Sequence, residues 1–261
     1  EIMKINRRQF VRNLGLGTAS LSMGSLISTS SCAPSGDSRD KRGKVSDDDQ
    51  FLFIGDDIAI AQTEYGKVQG YLLNHVYTFL GVPYGADTSG KNRFMPPQKP
   101  EPWTDVRPAV FYGNTAPQRM ENRWPNNYGT FADHWNYWDV SEDCLYLNVW
   151  TPGIADGKKR PVLVWLHGGG FTNGSGIEQD GYHGENISRE GDIVFCSINH
   201  RLGPIGFSDL SGVGGEAYKD SGNVGMLDII AALRWVHDNI ANFGGDPGNV
   251  TVMGQSGGGS K

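Results

Sequence analysis

Three stretches of this chain are apolar almost without interruption and have the length of a β-strand: Leu145–Trp150, Val162–Leu166 and Ile193–Ile198. A strand with one face in water alternates polar and apolar side chains. An unbroken run therefore predicts a strand covered on both faces, as in a parallel sheet between helices. Between residues 222 and 243 the period changes. Met226, Ile230, Leu233, Val236, Ile240 and Phe243 recur at spacings of three and four, which predicts a helix with those residues on its apolar face. Gly244-Gly245 closes it, Asp246-Pro247 turns the chain, and Asn249–Met253 reads as the next strand. The alternation predicts an α/β fold, with a central, mostly parallel sheet flanked by helices. Upstream, Ile58–Thr63, Val68–Leu73 and Val76–Leu80 are short runs between turn residues, which predicts a small N-terminal antiparallel sheet.

Glycine is the unusual entry in the composition. The chain has 37 in 261 residues, against an ordinary share of about 7%. They follow no collagen period and gather beside the apolar runs, which points to tight turns. The strand Asn249–Met253 runs directly into Gly254-Gln255-Ser256-Gly257-Gly258, a Gly-x-Ser-x-Gly pattern. A serine on a sharp strand-to-helix turn needs small flanking residues, and its hydroxyl then stands clear of the sheet where an acyl carbon can approach. The competing reading is a flexible loop. Val162–Leu166 ends in His167-Gly168-Gly169-Gly170-Phe171. Glycines there let backbone N–H groups face a developing oxyanion, and the expected donors are Gly169, Gly170 and Gly257. An ordinary turn and a phosphate-cradling loop are the alternatives.

These motifs and their neighbours resemble the type B carboxylesterases, the cholinesterase-like branch of the α/β-hydrolases. The resemblance runs from Thr78–Tyr84 through Arg93-Phe94, Ser141–Trp150, His167–Phe171, Asn199–Gly203 and Gly222–Pro247 to Ser256. It implies an α/β-hydrolase fold, an acyl-enzyme on Ser256, carboxylic esters as substrates and no cofactor. It also implies a buried Arg93–Glu142 salt bridge and a free Cys144, because the usual partner position holds Ala116. Gln255 stands where the family usually has glutamate, and Gly257 replaces a frequent alanine. Trp135 and Trp138 lie where cholinesterases place a cation-binding tryptophan; a cation–π site and simple rim packing are both open there.

In this fold the order is serine, then an acid, then a histidine. After Ser256 come only glycines, Ser260 and Lys261, and all six histidines precede it. His167 reads as a loop-shaping residue, His237 as solvent-facing, and His75, His134, His183 and His200 as structural or solvated. The sequence therefore reads as the N-terminal half of an esterase domain, over residues 51–261. Such a piece lacks the remaining triad members, is inactive alone, and has low stability because the strand before Ser256 is left as an open edge.

Residues 1–32 read as a leader. Arg7-Arg8 precede a Gly/Ser-rich, mildly apolar stretch too short to span a bilayer, which resembles a twin-arginine export signal. Cys32 is either an acylated lipid anchor or lies beyond a simple cleavage site, and residues 33–50 form a polar linker. Export to the periplasm or cell envelope follows. Residues 1–44 carry eight basic and three acidic groups, the rest fifteen and twenty-six. That acidic body argues against nucleic acid as a partner. Cys196 sits in an apolar run and reads as a buried thiol, so no structural disulfide is expected. No Cys/His/carboxylate spacing suggests a metal. Two other readings compete: a non-catalytic cholinesterase-like binding module, and a nucleotide-binding loop at 254–261. The latter is disfavoured because Ser260 separates the glycines from Lys261.

Overall fold

The computed structural model describes residues 51–119 and 139–261. The leader with Cys32, the linker, and the segment holding His134, Trp135 and Trp138 lie outside the described residues. Ten strands are present among those described: β1 (Leu52–Phe53), β2 (Ile60–Thr63), β3 (Gly66–Gln69), β4 (Tyr71–Leu73), β5 (Val76–Pro83), β6 (Arg107–Pro108), β7 (Tyr146–Thr151), β8 (Arg160–Leu166), β9 (Val194–Ile198) and β10 (Gly245–Gly254). A large sheet has the order β1-β4-β5-β7-β9-β8-β10, and a small one the order β2-β3-β6. The small sheet holds the expected antiparallel β2–β3 hairpin, but its third strand is β6, which joins in parallel, and Val76–Leu80 lies instead in β5 of the large sheet.

Two further expectations about the strands are corrected. Val68–Leu73 is not one strand, because the chain passes from β3 in the small sheet to β4 in the large one at Gly70. A Cβ there would collide with the Thr78 carbonyl oxygen, so glycine permits the crossing. The large sheet is mixed rather than mostly parallel: only β8–β9 and β8–β10 pair in parallel, while the pairings from β1 through β7 to β9 are antiparallel. Leu147, Val149 and Trp150 on β7 are nonetheless fully buried, because β7 lies at mid-sheet with both faces covered. An apolar run reports coverage, not strand direction.

The helices are α1 (Glu185–Gly191), α2 (Gly203–Phe207), α3 (Ser211–Gly214), α4 (Val224–Asn239) and α5 (Gly257–Ser260). α4 continues into a 3₁₀ turn, Ile240–Phe243, which Gly244 ends in the left-handed region at φ 78°. The face that α4 buries is Val224, Asp228, Ile229, Ala232, Trp235, Val236 and Asn239. The sequence-based stripe was right for Val236, Ile240 and Phe243 but wrong for Ile230, which is 43% exposed. A buried carboxylate and a small alanine belong to the inner face, and neither registers in an apolar periodicity. This face shares one core cluster with Val162, Val164, Val194, Cys196 and Ile198 of β8 and β9. Removing side chains such as Ile229 or Val236 from water contributes roughly 1.5–3 kcal/mol each. The opposite face carries Trp150 and Phe195, with Leu163 and Trp165 packed against them.

The ion pairs are also redistributed. Arg93 and Glu142 do meet, at 2.8 Å, but the Arg93 side chain is 46% exposed, so this bridge is not buried. The buried one joins Arg201 to Asp228.

Candidate active site

β8 and β10 are parallel neighbours with Val162 opposite Val250 and Leu166 opposite Gly254. Their C-terminal ends therefore finish level and side by side, and the turns that follow them must share one space, as ligand sites do in open α/β sheets. The ladder extends one residue further, because the Gln255 amide donates to the Leu166 carbonyl at 3.3 Å. Beyond that bond the chain reverses sharply. Ser256 takes φ 52°, ψ −120°, a conformation that costs an L-residue on the order of 1–3 kcal/mol, and α5 starts at the next residue. The hydroxyl of Ser256 has no hydrogen-bond partner among the described residues, and the residue is exposed.

The glycines around it are dictated by backbone contact. A Cβ at Gly254 would strike the backbone of Gly258, and one at Gly258 would strike the carbonyls of Leu166 and His167. None of those atoms belongs to a flexible side chain that could move aside. The first turn of α5 closes through Gly258 N–H to Gln255 O and Gly259 N–H to Ser256 O, each 2.9 Å.

After β8, Gly169 and Gly170 adopt φ 85° and 62°. The Gly169 carbonyl accepts from the amides of Thr172 (3.3 Å) and Asn173 (3.1 Å). This glycine turn meets the serine turn directly: a Cβ on Gly257 would lie 2.5 Å from the Cα and carbonyl oxygen of Gly170. Gly169, Gly170, Ser256 and Gly257 are thus brought together. Among the described residues the amides of Gly169, Gly170 and Gly257 donate to no protein acceptor, which leaves three N–H groups free at the junction of the two turns.

Beneath the turn lie two buried histidines. His167 Nδ1 is 2.9 Å from the Gly168 carbonyl oxygen, as the loop-shaping reading required. His200 stacks on it, with ring centroids 4.8 Å apart and planes 27° from parallel. Burial, together with nearby His167 and Lys261, holds His200 well below the usual histidine value of 6.5. His237 faces solvent, its side chain 74% exposed. Cys144 and Cys196 are fully buried free thiols. Burial pushes both thiols up, so neither offers a thiolate to compete as a nucleophile. A separate cleft of about 320 Å³, lined by Tyr112, Trp150, Tyr182 and His183 among others, does not include Ser256. Sequence reasoning did not foresee the His167–His200 stack, because nothing in a lone His between Asn199 and Arg201 signals a ring partner in a distant segment.

The chain is similar to proteins already known. The profile of the carboxylesterase family matches residues 57–261. Over 203 residues the chain is 44% identical to the para-nitrobenzyl esterase of Bacillus subtilis, covering 77% of this chain and 38% of that protein. It is 40% identical to the acetylcholinesterase of Electrophorus electricus over 222 residues, 80% of this chain and 34% of the relative. A solved esterase from Clostridium hathewayi, described as able to hydrolyse aliphatic aromatic polyesters, superposes with a TM-score of 0.73 at 44% identity. That match covers 80% of this chain and 40% of the other. The chain therefore spans less than half the length of these relatives. The family match, the identities and the α/β-hydrolase architecture agree, and the chain belongs to the type B, cholinesterase-like carboxylesterases.

Proposed function

We propose that the protein hydrolyses carboxylic esters through an acyl-enzyme on Ser256. The single observation that carries this reading is the junction of the two glycine turns, where a strained, exposed serine stands beside three unspent backbone amides. A tetrahedral intermediate formed on Ser256 Oγ places its oxyanion against Gly169, Gly170 and Gly257, each donor being worth about 10²–10³ in rate. These donors are peptide N–H groups fixed by neighbouring hydrogen bonds, so they need little reorganisation when charge develops. The ester bond breaks to release the alcohol, and water then attacks the acyl-serine to release the acid and free the hydroxyl.

Serine needs a general base within hydrogen-bond reach. No described histidine bonds to Ser256, and no acid or histidine follows it in residues 257–261. The proposal therefore places the base and its orienting acid in polypeptide outside residues 1–261, and residues 1–261 alone turn over no ester. The fit of the site to backbone oxyanion binding, with Ser256 present, favours an enzyme over a non-catalytic binding module. Small-molecule esters are the proposed substrates.

Pre-steady-state hydrolysis of a p-nitrophenyl ester by the full-length gene product tests the mechanism. A burst of one p-nitrophenol per site is expected, together with a loss of kcat on the order of 10⁶ in Ser256→Ala. A linear time course with full activity in Ser256→Ala would overturn the reading. Residues 1–32 are proposed to direct export, which Arg7→Lys with Arg8→Lys should block in a reporter fusion.

A further inference from the structure

The peptide link between Gly168 and Gly169 is planar and trans, so its carbonyl and its N–H point in opposite directions. Whatever fixes the Gly168 carbonyl therefore aims the Gly169 amide. His167 Nδ1 contacts that carbonyl at 2.9 Å, which sets the proton on Nδ1, since a carbonyl can only accept. The bond holds its aim only while the His167 ring keeps its orientation. A Cβ at Gly174 would collide with His167 Nδ1, so the returning loop closes one side of the ring. The His200 ring, stacked at 4.8 Å, closes a face.

His200 is itself held. Asn199 Oδ1 accepts from the Gly176 amide at 2.7 Å, and the Arg201 amide donates to Asp228 Oδ2 at 3.0 Å. The residues on both sides of His200 are thus anchored, one to the glycine loop and one to α4. Both ring nitrogens of His200 are buried without a hydrogen-bond partner among the described residues. A histidine kept in such a place without using either nitrogen contributes its flat ring.

We infer that His200 is a positioning residue for the oxyanion turn: its ring holds His167 against the Gly168 carbonyl and so aims the Gly169 amide. The inference rests on the proposed role of Gly169 as an oxyanion donor. It requires the stacking surface, not the imidazole chemistry, to matter.

The test uses the full-length gene product with a p-nitrophenyl ester, each variant normalised to the Ser256 sites titrated by an organophosphonate, so that unfolded material is not counted. His200→Ala should lower kcat roughly ten- to a hundredfold, part of the effect of losing one donor, with KM changed less than about twofold because substrate binding precedes oxyanion formation. His200→Phe, which keeps a flat ring, should stay within about threefold of the parent. Should His200→Ala give no folded protein, His200→Leu fills the site without a flat ring and is expected to show the same loss. An unchanged kcat in the non-aromatic variant, or an equal loss in His200→Phe, would overturn the inference. If Ser256→Ala keeps full turnover, the reading of the whole site falls with it; an inactive Ser256→Ala beside a fully active His200→Ala removes only the role of His200.

Discussion

The Arg201 guanidinium and the Asp228 carboxylate form a two-pronged ion pair at 2.6 and 2.8 Å, with side chains 1% and 0% exposed. It joins the segment after β9 to the inner face of α4, and Arg201 also donates to the Met95 carbonyl at 2.8 Å. The pair holds in place the stretch on which the candidate active site rests.

Breaking this pair from one side should be costly. Asp228→Asn leaves the Arg201 guanidinium buried without its counter-charge, for which a loss of about 3–5 kcal/mol is expected. Equilibrium denaturation of the full-length protein measures it. A loss under about 1 kcal/mol would show that water reaches the pair.

The serine turn should tolerate no side chain at its second flanking glycine. Gly258→Ala drives a Cβ into the Leu166 and His167 carbonyls, which are backbone atoms, the former accepting from the Gln255 amide, so β8 and α5 must separate. Loss of about 2 kcal/mol or more, with labelling of Ser256 strongly reduced, is expected. Wild-type behaviour of this variant would mean that the two turns are not in backbone contact.

The strain at Ser256 should be visible as stability withheld. Glycine adopts φ 52° freely, whereas alanine bears the same penalty as serine. Ser256→Gly should therefore be more stable than Ser256→Ala by about 1 kcal/mol, even after the greater unfolded-state freedom of glycine is counted. Thermal melts of the two inactive variants make the comparison, and equal or reversed stabilities would speak against a strained elbow.

His200 should give stability a pH dependence. Its folded-state value lies well below 6.5, through burial first and then the nearby His167 and Lys261. Below pH 6.5 the unfolded chain thus holds a proton that the folded one does not. Its contribution is complete above that pH and is lost as pH falls toward the folded value, at up to about 1.4 kcal/mol per pH unit. His183, also lowered by burial, adds to the same limb. His200→Phe should flatten the slope by about one proton between pH 6.5 and 5. An unaltered slope would place the His200 titration elsewhere.

Much of this is legible in the sequence. Val162–Leu166 and Ile193–Ile198 announced strands of the central sheet through their continuous apolar character, Asn249–Met253 announced a strand that the structure leaves largely exposed at the sheet edge, and the glycines of 168–170 and of 254–258 announced turns. Strand direction was not legible, since β7 lies between two antiparallel neighbours and is yet buried throughout Leu147–Thr151. The helix face was misjudged at Ile230 because Asp228 pays its way inward through Arg201, a partner 27 residues upstream. The Gly70 crossing and the His167–His200 stack depend on contacts between segments far apart in the chain, to which local periodicity is blind.

The most direct measurement is to treat the full-length protein with an organophosphonate ester and map the adduct by peptide mass spectrometry. A single stoichiometric adduct on Ser256, accompanied by complete loss of ester hydrolysis, is the predicted result. An adduct on another residue, or hydrolysis that continues undiminished with Ser256 unmodified, would contradict the account.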